Sequence, residues 1–187
     1  MFNVINAIKI PNFVYWTILV IVLIVVAIVC LAVASKHIAE KRKKDCFNLL
    51  LKVCESKEKD SYKLEYSTNP AYDYYIESDE HSYLIKLINN TNNQEICVNN
   101  AIKWQLRNGI HDKGLRFVEG VEELMRMDVK NDGKVIHKLF VIYPNSRALL
   151  KVINECEMIF ITPSTDIYGA KVITYKQLEE DFSLIEL

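Results

Sequence analysis

The sequence predicts an α/β protein: an N-terminal transmembrane helix followed by one domain with a mixed sheet, built from a three-strand meander and a parallel crossover. Three observations lead there. An apolar run without charge, Gly or Pro extends from Val14 to Ala34. Aromatic and β-branched segments separated by turn clusters recur between Tyr72 and Val98. A strand, helix, strand pattern then spans Val135 to Thr162.

The apolar run would be about 31 Å long as a helix, close to the ~30 Å hydrocarbon thickness of a bilayer. Pro11 and Asn12 give the signal for a helix start, Tyr15 and Trp16 suit the lipid and water boundary, and the Thr17 hydroxyl can bond back to a carbonyl one turn earlier. Before the run stands only Lys9; after it come Lys36, Lys41, Arg42, Lys43 and Lys44. That asymmetry predicts residues 1–12 outside, a span over 13–35, a basic juxtamembrane helix over 36–57 and a cytoplasmic domain over 58–187. A cleaved signal peptide is the competing reading, with Ala32-Val33-Ala34 as the small-x-small site, although the run exceeds a ~7–15 residue apolar core and the charges follow it. Lys41, Arg42, Lys43 and Lys44 are the candidate membrane-surface residues, through anionic headgroups or simply by setting orientation.

The domain has the size of one ordinary core. A formal charge of −1 gives no composition-level reason for nucleic-acid binding. Cys46, Cys54, Cys97 and Cys156 have no CxxC pairing, which suits reduced thiols used as small apolar residues, and the Asn89-Asn90-Thr91 sequon has no role on an inner membrane face.

Element by element, Phe47, Leu50, Leu51 and Cys54 recur at helical spacing and predict that the membrane helix continues as a stalk docking on the domain. Ser56 to Pro70 reads as a turn-rich connection. Tyr72–Glu77 and Tyr83–Ile88 form a hairpin, and Glu95–Val98, after the Asn-rich turn 89–93, is the third strand of the meander. Ile102–Leu106 is open between helix and strand. Phe117, Val118, Val121, Leu124 and Met125 predict a helix ending before Asn131-Asp132-Gly133. Val135–Tyr143 is the strongest strand, apolar enough to be covered on both faces. Pro144-Asn145-Ser146 is expected to open a helix with the stripe Leu149, Val152, Ile153 and Cys156, followed by a strand over Met158–Thr162. Thr174 with Gln177 is a capping-box pattern for a last helix showing Tyr175, Leu178 and Phe182 to the sheet.

This order of helix, three antiparallel strands, helical region, strand, helix, strand and helix resembles the core of the restriction-endonuclease-like, or PD-(D/E)xK, superfamily from about Phe47 to Phe182. The resemblance implies a divalent metal held by two carboxylates, with a lysine assisting the attacking water. Two registers exist: Asp73 with Leu84-Ile85-Lys86, which keeps the lysine and lacks the second acid, and Asp79 with Glu95-Ile96-Cys97, which keeps the acid and lacks the lysine. Asp73, Asp79, Lys86 and Glu95 are therefore the candidate catalytic residues, and each also suits a sheet edge or turn.

Other chemistries are weaker. Gly109 and Gly114 have the glycine spacing of a P-loop, yet Leu115-Arg116 occupies the phosphate and metal positions. His37, His81, His111 and His137 lack ligand spacing; Asp79, Glu80 and His81 share one turn; and the polar loop Ser164-Thr165-Asp166 suits solvation. The expected protein is thus a single-pass membrane chain whose inner domain binds or scaffolds a protein partner without a cofactor. The alternative is a membrane-tethered, metal-dependent nuclease with nucleic acid as its partner.

Overall fold

The computed structural model describes residues 12–57, 62–91, 93–109, 112, 116–128 and 133–185. The expectations placed on Lys9, Pro11, Asn92, His111, Gly114, Leu115, Asn131 and Asp132, and on the Asn12 side chain, fall outside it. The protein divides into two compact units at Lys41 and Arg42.

The first unit is the leading part of α1 (Asn12–Ser56), which no Gly or Pro interrupts. It is long and apolar enough to cross a membrane, and its most apolar window is wholly exposed. A helix apolar on all sides needs an apolar environment rather than one docking face. The Thr17 hydroxyl donates to the Phe13 carbonyl at 2.8 Å, so its hydrogen is satisfied within the helix.

The second unit begins with the remainder of α1, where Cys46, Leu49, Leu50, Val53 and Cys54 are buried while Leu51 faces outward. The stripe does dock, one position away from that predicted at Leu51. Burial pushes the Cys46 thiol up to about 12 and the Cys54 thiol to about 11, so both stay protonated and pack as small apolar groups.

Among the described residues, ten strands form two five-stranded sheets. The first has the order β1 (Lys63–Tyr66), β2 (Tyr74–Glu77), β3 (His81–Asn89), β7 (Val135–Tyr143), β10 (Ala170–Thr174). Here β1, β2 and β3 are successive antiparallel neighbours, while β3 with β7 and β7 with β10 are parallel. The second has the order β6 (Arg116–Phe117), β5 (Trp104–Arg107), β4 (Glu95–Val98), β8 (Ala148–Asn154), β9 (Glu157–Phe160). One core lies between α1, the last helix and the first sheet. The other gathers the inward side chains of both sheets with α2 (Val121–Arg126), around Trp104, Phe140, Ile96 and Leu124.

Several expectations are corrected. β1 occupies part of the predicted turn-rich connection; Phe47 stacks on Tyr66 at 4.2 Å, and Lys63 lies opposite Glu77. The predicted meander does have three strands, but they are β1, β2 and β3. Glu95–Val98 belongs to the second sheet, because β2 and β7 already occupy both edges of β3. Ile102–Leu106 resolves to strand β5, and the helix expected from Phe117 begins only at Val121.

The helix expected after Pro144 is instead the β8–β9 hairpin. Its apolar spacing satisfies a helical period, yet β4 offers a strand edge on which Ala148 to Lys151 complete backbone pairing with Glu95 to Val98. The strand expected at Met158–Thr162 is β9, antiparallel to β8, and the parallel neighbours of β7 are β3 and β10. At the C-terminus the capping box forms as read: the Gln177 amide donates to Thr174 Oγ1 at 3.2 Å, and the Thr174 amide donates to Gln177 Oε1 at 2.9 Å. The helix it opens, α3 (Tyr175–Glu180), buries Leu178.

Candidate functional site

A cleft of about 620 Å³ opens where the β2–β3 hairpin faces β5, β6 and the start of α2. Leu87, Ile88, Leu106, Phe117 and Val118 supply apolar walls, Lys43, Asp73 and Lys86 the polar end, and Glu119 and Glu123 two further carboxylates.

Antiparallel register builds the polar end. Tyr74 lies opposite Ile85, so Asp73, the residue before β2, comes beside Lys86 and Leu87. The Leu87 amide donates to Asp73 Oδ2 at 3.0 Å, the Lys43 ammonium lies 2.7 Å from Oδ1, and Lys86 Nζ lies 3.6 Å from Oδ2. Lys86 also donates to the Pro70 carbonyl at 2.9 Å. Asp73 is 10% exposed and Lys86 15%, so the two charges are paired largely out of water.

Gly120 completes the seat for Lys86. Its φ is +79°, and a Cβ built there would stand 2.4 Å from Lys86 Cε. Gly120→Ala should therefore cost about 1–3 kcal/mol, combining left-handed strain with displacement of the lysine, and should lower the thermal midpoint accordingly.

Of the four candidate catalytic residues, the fold joins Asp73 and Lys86 and leaves the others apart. Asp79 lies in the turn at the opposite end of the β2–β3 hairpin. Glu95 is buried on β4 in the second sheet, 3.8 Å from Arg147 Nε. Leu84 stands where the first register needs a second carboxylate and is 2% exposed, within the inter-sheet core. Among the described residues no group of three or more His, Cys, Asp and Glu side chains could hold a metal ion.

The basic tetrad divides. Lys43 is committed to Asp73, while Arg42 donates to the Asn90 carbonyl at 3.2 Å and lies over the Tyr143 ring. Lys41 and Lys44 are exposed. Lys43, Glu119, Gly120 and Glu123 are members of the cleft that the sequence does not point to; Lys43 reads there as a membrane-surface charge, and Gly120 carries no signal beyond preceding a helix.

Elsewhere, His81 and His137, on neighbouring parallel strands, share a hydrogen bond of 3.0 Å between Nδ1 and Nε2, and His137 stacks on Tyr83. Their separation in the chain hid the pair. The 164–166 loop is held internally: Thr162 Oγ1 contacts Ser164 Oγ at 3.0 Å and Thr165 Oγ1 at 2.9 Å, and Asp166 accepts from the Gly169 amide.

Compared with protein-family models, with curated proteins and with solved structures, the chain matches none of them.

Proposed function

We propose that this chain is a single-pass membrane protein, N-terminus outside, whose cytoplasmic domain is a non-catalytic binding or scaffolding module for a protein partner. The observation that carries the binding assignment is the state of Asp73. Its two oxygens are engaged by the Lys43 and Lys86 ammonium groups and the Leu87 amide, so the one acid in the cleft's polar end closes an ion-pair network. The half-apolar cleft beside it offers the concave surface that a binding module needs. The membrane assignment is supported by the exposed apolar stretch of α1 and by the basic residues that follow it. Lys41 and Lys44, exposed, are the members of the tetrad best suited to anionic headgroups.

One observation favours a second reading, a membrane-tethered nuclease of restriction-endonuclease-like fold: Asp73 and Lys86 meet across adjacent strands, as the first register requires. The residues present do not fit the metal that this chemistry uses, because Leu84 replaces the second ligand inside the core.

Both readings are tested on the full chain. It should remain in the membrane pellet after alkaline carbonate extraction, its domain should resist protease added outside intact cells, and it should cut no DNA with Mg²⁺ or Mn²⁺. Release by carbonate or digestion from outside would overturn the membrane assignment. Metal-dependent cutting abolished by Asp73→Ala would replace the binding module with the nuclease.

A further inference from the structure

His81 and His137 stand outside the cleft and take no part in either functional reading. The parallel register sets His81 opposite Val135 and Tyr83 opposite His137, so the two histidines are diagonal neighbours on adjacent strands. Residues two apart on a strand, and residues opposite one another in a ladder, share a face. His81, Tyr83 and His137 therefore rise from the same side of the first sheet.

Both rings are positioned by rigid neighbours. The His81 amide donates to Ser78 Oγ at 3.0 Å, and the Ser78 amide donates to the His81 carbonyl at 2.8 Å, which fixes the backbone beneath the first ring. The second ring stacks on Tyr83, which is itself buried, with centroids 4.5 Å apart and planes 18° from parallel. Each histidine is half-buried rather than sealed in the core.

The spacing of the pair is that of two ligands on one ion. Nδ1 of His81 and Nε2 of His137 are 3.0 Å apart, and the ring centroids 5.1 Å apart. A divalent late transition metal holds an imidazole nitrogen at about 2.0–2.1 Å, so two rings on one ion have nitrogens about 2.8–3.4 Å apart and centroids about 4.5–5.3 Å apart, as the angle at the metal opens from square to tetrahedral. Both observed separations fall inside these ranges. A tilt of each ring turns its lone pair from the other nitrogen toward a shared point.

We propose that His81 and His137 form a two-histidine seat for one divalent late transition metal ion, Cu²⁺ foremost, bridging β3 and β7 and completed by water. The 3.0 Å nitrogen separation lies near the square end of the range, which suits tetragonal Cu²⁺ better than tetrahedral Zn²⁺. With His81 Nδ1–H as donor in the metal-free pair, binding moves that hydrogen through solvent to His81 Nε2. Both rings stay neutral, one N–H···N bond is exchanged for two metal–nitrogen bonds, and no electron is transferred. Among the described residues no third His, Cys, Asp or Glu closes the set, so the remaining positions belong to solvent. His137 lines a cleft of about 410 Å³ with Thr165, Asp166 and Lys171, which gives those waters room.

The test uses the untagged full chain in detergent micelles, with the exposed Cys30 and Cys156 changed to Ser so that their thiols do not compete. Cu²⁺ alone is the probe. Titration should give one site per chain with a Kd below about 100 μM. Electron paramagnetic resonance at one equivalent should show a tetragonal ion with hyperfine structure from two nitrogens. Saturating Cu²⁺ should raise the thermal midpoint by about 5 °C or more, since the ion ties two strands of the folded state alone. His81→Gln and His137→Gln should each weaken binding at least tenfold with an unchanged circular dichroism spectrum, whereas His37→Gln, on the exposed part of α1, should leave it unchanged. A Kd above 1 mM, affinity indifferent to either glutamine change, or an equal loss in His37→Gln would overturn the proposal. So would nitrogen structure from fewer than two rings, a readout of the parent chain that holds even if a variant fails to fold.

Discussion

Trp104→Ala is expected to destabilise the domain by about 3–5 kcal/mol, a fall of roughly 10 °C in thermal midpoint, measured by near-ultraviolet circular dichroism on heating. Trp104 is fully buried between the sheets, with its ring 4.5 Å from Phe140, so truncation opens a cavity that two hydrogen-bonded sheets cannot collapse to fill. Trp104→Phe separates packing from polarity. Among the described residues the buried indole Nε1 has no hydrogen-bond partner, so the change gives up mainly volume and should cost only about 1–2 kcal/mol. A Trp104→Phe loss as large as that of Trp104→Ala would show that the indole does more than fill space.

Asp73→Ala should cost about 2–4 kcal/mol, because it strands Lys86 in a mostly buried position and removes the acceptor of the Leu87 amide. Lys43 is half exposed and contributes little to that figure. Adding Lys86→Met to Asp73→Ala should return part of the loss, since the uncompensated charge is then gone. A double variant less stable than Asp73→Ala alone would assign the loss to the amide and the packing rather than to the ion pair.

The sequence carries some of this structure locally and some of it not at all. Strands β2, β3 and β7 and the last helix are legible because alternation, turn residues and the Thr174–Gln177 cap act within a few positions of the chain. The β8 segment is not, because Leu149, Val152, Ile153 and Cys156 satisfy a helical period equally well, and what decides is the edge offered by β4, far away in sequence. For the same reason Glu95–Val98 is recognisable as a strand while its sheet is not: the competition for β3 is won by β7. Within the cleft, the hairpin register brings Asp73 beside Lys86, whereas the Lys43 contact depends on how α1 docks. Charge near an apolar run reads first as membrane signal, and at Arg42 and Lys43 the fold uses it internally.

The interleaving of the two sheets has a consequence for how the domain is made. In chain order the backbone visits the first sheet with β1–β3, the second with β4–β6, the first with β7, the second with β8–β9 and the first again with β10. Neither layer is a contiguous fragment, and because the first sheet holds both β1 and β10, every cut between those two strands divides it. The parallel contacts of β7 with β3 and β10 also join distant stretches, and each long closure must be made before its contacts reward it. Assembly should accordingly be slow for a domain of this length and all-or-none, completed only when the last strand arrives beside β7.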